Sequence, residues 1–121
     1  MTKEKFLFEL VKSDLPREYD RAGKSATERA IEGALRSEPL EMVSSKAGSS
    51  FPVGEAIALI FAFVSAVDSA IAIAESLSKP KRPLDEMTAL VAAKLTEKQR
   101  RSLSGRTLKK IIEEVRKLDA S

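Results

Sequence analysis

The sequence predicts an all-α protein, a compact bundle of about five to seven helices around one long apolar central helix. Apolar side chains recur at spacings of three and four along most of the chain, as on one face of a helix. No segment alternates polar and apolar residues with the period of two that marks a strand. An apolar stretch over residues 56–74 supplies the central helix. The length of 121 residues fits one domain, which we expect to span residues 1–121.

The N-terminal third predicts three short helices separated by turn residues. Thr2 is placed to cap the first helix, and Pro16 restarts the chain because proline is tolerated only in the first helical turn. Gly23 is a natural stop for the second helix. Ser25 and Glu28 have the spacing of a capping box, so we expect the third helix to begin there and to end before Pro39.

The middle of the chain predicts a flexible loop followed by the central helix. Residues 44–51 are rich in Ser and Gly and read as the loop. Pro52 and the preceding Ser50 indicate the start of the central helix. Pro80 ends it, so the helix should run to about Lys79.

The C-terminal third predicts three further helical segments. Pro83 begins the first, and Thr96 with Gln99 fits a second capping box. Ser104 and Gly105 separate this segment from the last helix. The last helix carries the clearest apolar stripe in the chain, formed by Leu108, Ile111, Ile112, Val115 and Leu118.

Two faces of the central helix differ in side-chain size. Bulky aliphatic and aromatic residues occupy one side, and small residues recur on the other at spacings of three and four. Small residues let a second helix approach closely, either from this chain or from another copy of it. The predicted helix–helix contact stripe consists of Ala58, Ala62, Ser65, Ser69 and Ala72.

A membrane-associated protein that uses residues 53–79 is one alternative interpretation of the central helix. Its apolar stretch has about the length that spans a bilayer, and Lys79, Lys81 and Arg82 follow it as a positive anchor would. Asp68 argues for a soluble core helix, because a carboxylate near the bilayer centre costs about 2.5–3.5 kcal/mol on insertion scales. We therefore expect the bundle to cover this helix.

Composition restricts the chemistry that the chain can perform. It contains no His and no Cys, which removes the commonest general base, the thiolate nucleophile and the commonest metal ligands. Gly23, Lys24 and Ser25 resemble the end of a phosphate-binding loop, but Glu18 stands where the first glycine is needed. We expect no enzyme activity, no cofactor and no metal site.

Positive charge is concentrated near the C-terminus. Residues 79–121 carry twelve basic and six acidic side chains, whereas residues 1–36 carry eight and seven. The candidate partner-binding residues form a basic patch around the joint between the last two helices: Arg100, Arg101, Arg106, Lys109 and Lys110.

These observations predict a non-enzymatic adaptor domain that binds an acidic protein surface or a second copy of itself as a homo-oligomer. The alternative is a nucleic-acid-binding regulator in which the basic segment forms a helix-turn-helix. Glu9 and Lys12 interrupt the first apolar patch, which argues against a signal peptide, so we expect a cytoplasmic protein.

Overall fold

The computed structural model describes residues 2–37, 51–77 and 81–120 of the chain. These residues form six helices and no strand, which confirms the all-α prediction, with one long apolar helix packed among the others. The predicted loop over residues 44–51 lies outside the described residues, except that Phe51 already belongs to a helix. The helices are α1 Lys3–Asp14, α2 Pro16–Leu35, α3 Phe51–Ser76, α4 Leu84–Lys94, α5 Glu97–Ser102 and α6 Gly105–Ala120.

The chain divides into two compact units, Met1–Ser65 and Ala66–Ser121, and the boundary falls inside α3. The single-domain prediction is not tested by this division and stays a prediction. In the first unit α1 packs against α2. The Thr2 hydroxyl caps α1 by accepting a hydrogen bond of 3.2 Å from the Lys5 backbone amide, as the sequence predicts. Leu7 and Val11 of α1 are fully buried.

Gly23 interrupts α2 as predicted. Its backbone angles are φ 86° and ψ 170°, a conformation that is essentially restricted to glycine. It is the one residue within α2 that departs from helical angles, so Lys24 already lies in the helix that follows. The predicted cap residue, Ser25, is therefore inside this helix. The helix ends at Leu35, and Ser37 adopts the left-handed conformation (φ 58°) common after a helix C-terminus.

Helix α3 buries its bulky residues. Ile57, Ile60, Val64 and Val67 are fully buried, which covers the side that the sequence assigned to the core. Residues Gly54–Ser76 are long and apolar enough to cross a membrane by length and composition, and half of their most apolar window is buried within the protein. The helix ends at Ser76, three residues before the predicted end at Lys79, which lies outside the described residues.

The second unit contains the last part of α3 and the three C-terminal helices. Helix α4 begins after Pro83, as predicted, and packs against α6. Helix α6 buries its apolar stripe: Leu108, Ile111, Ile112 and Val115. Leu118, the last predicted member of the stripe, has a side chain outside the described set.

Candidate functional site

Side-chain caps hold the starts of both α5 and α6, and the second cap lies at the joint between these two helices. At α5 the Thr96 hydroxyl accepts a hydrogen bond of 3.1 Å from the Gln99 amide, and the Gln99 side chain accepts one of 3.0 Å from the Thr96 amide. This is the predicted capping box. At α6 the Ser104 hydroxyl accepts a hydrogen bond of 3.1 Å from the Thr107 amide. Each cap satisfies a backbone amide that the helix itself leaves without a partner, and such caps stabilise a helix start by about 1 kcal/mol.

Gln99 also ties α5 to α3. Its side-chain amide donates a hydrogen bond of 3.0 Å to the hydroxyl of Ser69. Leu103 and Thr107 flank the joint and are buried. The inward side of the joint is thus fixed by packing and by hydrogen bonds, and the charged side chains point outward.

Arg101 and Lys109, two of the predicted basic residues, form ion pairs with carboxylates. Arg101 contacts Glu97 on the same helix at 2.6 Å, and both side chains are exposed. Lys109 of α6 lies 3.7 Å from Asp85 of α4. Exposed pairs of this kind stabilise a fold by about 0–1 kcal/mol, but they neutralise charge locally. The basic patch therefore offers less positive charge than the sequence suggests.

Arg100 and Arg106 lie on either side of the α5–α6 joint. Both are exposed, and neither forms an ion pair among the described residues. Arg100 lies in the last turn of α5, where the helix dipole favours a cation, whereas Arg106 lies in the first turn of α6, where the dipole opposes it. Lys110 is half-buried. We call Arg100 and Arg106, with the backbone that joins them, the basic surface.

The small-residue stripe on α3 is partly exposed. Ala58, Ala62 and Ser65 are half-buried, and Ala72 is exposed. Ser69 is the member whose hydroxyl is engaged, through Gln99.

Leu59 is next to this stripe and is 52% exposed, which makes it the one large apolar side chain among the described residues that is mostly in contact with solvent. The bulky side of α3 is the buried side, as the size pattern predicts.

A groove in the first unit was not predicted from the sequence. It has a volume of about 420 Å³ and runs between the start of α1 and the second half of α2. Phe8 and Ile31 supply apolar lining; four glutamates and two lysines complete most of it: Glu4, Glu9, Glu28, Glu32, Lys5 and Lys24. On each helix, charged residues spaced by four indicate a polar face in the sequence. Only the packing of α1 on α2 brings these two polar faces together.

An aromatic cluster lies beside this groove. The rings of Phe8 and Tyr19 meet edge to face with centroids 5.6 Å apart. The Lys12 ammonium lies 5.7 Å from the centroid of Phe8 and 5.9 Å from that of Tyr19. Such contacts stabilise by about 0.5–1 kcal/mol at exposed sites, and they hold the Phe8 ring in place.

The described side chains include no group of three His, Cys, Asp or Glu residues arranged to hold a metal ion. Comparisons with protein families, with curated proteins and with solved structures find no match to this chain. The candidate site thus rests on charge, exposure and capping geometry.

Proposed function

We propose that this chain is a non-enzymatic interaction domain that binds an acidic protein surface through Arg100 and Arg106. The observation that carries the proposal is that both guanidinium groups are exposed and unpaired among the described residues, on two helices whose starts are capped. A guanidinium group has a planar set of donors that matches a carboxylate. Two such groups on a fixed joint present a preorganised site for carboxylates on a partner.

The surroundings of the basic surface favour a protein over a nucleic acid. Glu97, Asp85 and Glu113 are exposed on the helices that carry or flank it. Glu97 and Asp85 already neutralise Arg101 and Lys109, which leaves few uncompensated cations, whereas a phosphate backbone binds proteins mainly through uncompensated Lys and Arg. A protein partner carries charges of both signs and can complement a mixed surface. Helix α5, with six residues, is also short for the first helix of a helix-turn-helix.

A binding measurement with a simple acidic probe tests the proposal. A fluorescently labelled oligo-glutamate peptide should bind the wild-type protein at low salt, and binding should weaken as salt screens the charges. The double variant Arg100→Glu/Arg106→Glu should lose binding by about tenfold or more, since like charges then face each other. Arg17→Glu is the control, because Arg17 is an exposed arginine on α2 and belongs to the first unit.

Two outcomes would contradict the proposal. One is equal peptide binding by the wild type and the Arg100→Glu/Arg106→Glu variant. The other is a clear preference for duplex DNA over the peptide, with affinity that falls steeply with salt, which would favour the nucleic-acid regulator.

A membrane-associated function is the second candidate, supported by the length and hydropathy of residues Gly54–Ser76. Burial of half of this window is instead what a core helix of a soluble bundle requires. Fractionation of cell lysates separates the two. An interaction domain stays in the supernatant without detergent, and a membrane protein is released from the pellet only by detergent.

A further inference from the structure

The groove between α1 and α2 carries carboxylates that lack partners. Glu4, Glu9 and Glu28 line it, and none of the three forms an ion pair among the described residues. Glu32, the fourth glutamate of the lining, lies 3.5 Å from Arg29. With Lys5 and Lys24 counted, the lining holds four acidic and two basic groups, a net charge of −2. The groove is therefore acidic on balance, with exposed carboxylates that form no ion pair on both of its helices.

The groove also has the size and lining that an arginine side chain requires. Its volume of about 420 Å³ lies within the range of about 300–1,000 Å³ that is typical of binding pockets. Phe8 and Ile31 give it an apolar part, against which the aliphatic stem of an arginine packs. A guanidinium group also stacks on an aromatic ring such as Phe8 while it donates hydrogen bonds to a carboxylate.

We infer that the α1–α2 groove of one copy receives the basic surface, Arg100 and Arg106, of a second copy of this chain. The inference rests on the proposed function, because it identifies the acidic partner of that surface. The argument is charge complementarity: unpaired carboxylates line the groove in the first unit, and unpaired guanidinium groups stand on the second unit. Both surfaces occur in every copy, so each copy is at once donor and acceptor.

This contact joins two different surfaces, the groove of one copy and the basic surface of another. Where two copies make it reciprocally it closes as a two-fold dimer; otherwise it closes into a ring or continues as an open chain. The average mass should therefore rise steadily with protein concentration at low salt. It should fall as salt is added, because exposed charges interact over about 8–10 Å at physiological ionic strength.

A charge-swap experiment tests the contact. Sedimentation velocity at low salt is measured for the wild type, for Glu9→Lys/Glu28→Lys and for Arg100→Glu/Arg106→Glu. Each double variant alone should associate about tenfold or more weakly than the wild type, because like charges then meet. Each double variant alone has no pair of oppositely charged surfaces, but an equimolar mixture has two such pairs, so the mixture should recover association.

Matched controls separate this contact from a general effect of charge. Asp20→Lys and Arg17→Glu alter exposed residues of α2 that do not line the groove, and they should leave association unchanged. Circular dichroism of every variant should show the wild-type helix content, which excludes unfolding as the cause. Leu59→Ser tests whether the exposed apolar side chain of α3 causes the association, and it should also leave association unchanged.

Three results would overturn the inference. One is a wild-type monomer at every concentration at low salt; if the oligo-glutamate peptide still binds through Arg100 and Arg106, the proposed function stands without it. Another is association that Glu9→Lys/Glu28→Lys leaves intact, or that Leu59→Ser abolishes, which places the contact elsewhere. The last is a mixture of the two double variants that stays monomeric.

Discussion

The chain interrupts its helices in two different ways, at Gly23 within α2 and at the joint between α5 and α6. At Gly23 the backbone adopts φ 86° and ψ 170°, which only glycine tolerates. At the α5–α6 joint the interruption is held by a side chain, since the Ser104 hydroxyl caps α6. The break at Gly23 requires that no side chain is present, whereas the break at the joint requires a side-chain hydroxyl. We therefore expect an added side chain to destabilise the first break and a lost hydroxyl to destabilise the second.

The largest expected effect concerns the buried core of each unit. Leu7 in the first unit and Ile111 in the second are both fully buried. Leu7→Ala and Ile111→Ala should each lower the free energy of unfolding by about 2–5 kcal/mol, since each loses buried contacts and leaves a cavity. Because α3 belongs to both units, we expect a single urea transition that either variant shifts as a whole.

Two separate transitions, each moved by only one of the two variants, would contradict the single-domain prediction. Leu59→Ala is the control for lost side-chain volume. Leu59 is 52% exposed, so its truncation should have a much smaller effect on urea unfolding than either core variant.

The break at Gly23 should be sensitive to any side chain. Gly23→Ala should destabilise the protein by about 1–3 kcal/mol, because alanine is strained at this φ and ψ. The space around the position is open, so no clash contributes. The control is Gly105→Ala, where the space is equally open and no positive φ is required. Thermal unfolding should show that Gly105→Ala is neutral or stabilising by up to about 1 kcal/mol. Equal losses at both glycines would contradict this explanation.

A buried threonine lies close to each of the two helix breaks, and the two differ in their hydrogen bonding. Thr27, four residues after Gly23, is fully buried, and its hydroxyl has no hydrogen-bond partner in the described structure. Thr107 is also buried, but its hydroxyl lies 2.9 Å from that of Ser104. A buried polar group without a partner costs about 1–3 kcal/mol, whereas a satisfied hydrogen bond contributes about 0.5–1.5 kcal/mol.

Thr27→Val should therefore raise the free energy of unfolding by about 1 kcal/mol, and Thr107→Val should lower it by about as much. Chemical denaturation of the two variants measures both changes. A loss of stability in Thr27→Val would show that its hydroxyl is satisfied.

The smallest expected effect on stability is at the ion pair next to the basic surface. Asp85→Asn removes the carboxylate that faces Lys109 at 3.7 Å. The pair is exposed, so the free energy of unfolding should change by less than about 1 kcal/mol. Affinity for the oligo-glutamate peptide should nevertheless rise at low salt, because Lys109 is released. Asp20→Asn changes the net charge equally on α2 and should leave peptide binding unchanged; a rise with both variants would indicate a net-charge effect.

The sequence predicted helix caps and the helix break at Gly23 most accurately. Thr96 with Gln99, Thr2 and Gly23 were each predicted with their roles, because caps and positive-φ turns depend on residues within one helical turn. The capping box expected at Ser25 was misplaced, because the special angles of Gly23 let the helix resume at Lys24. A sequence pattern indicates a possible cap, but the conformation of the preceding backbone determines the residue at which the helix begins.

The charged surfaces were predicted less completely than the helices. The five cations around the joint were identified from the sequence, but the pairing of Lys109 with Asp85 joins residues far apart in the chain. The groove was missed for the same reason, because its lining comes from both α1 and α2. Charge along a sequence does not show which charges neutralise each other in space.

The amino-acid sequence by itself determined the all-α character of the described chain and the buried face of α6, because helical periodicity and capping are local properties. The tertiary structure decided which cations remain unpaired, that Gln99 reaches Ser69, and that α1 and α2 enclose an acidic groove. The physical reason is that charge pairing and cavity shape depend on distances between residues remote in sequence, and packing alone sets those distances.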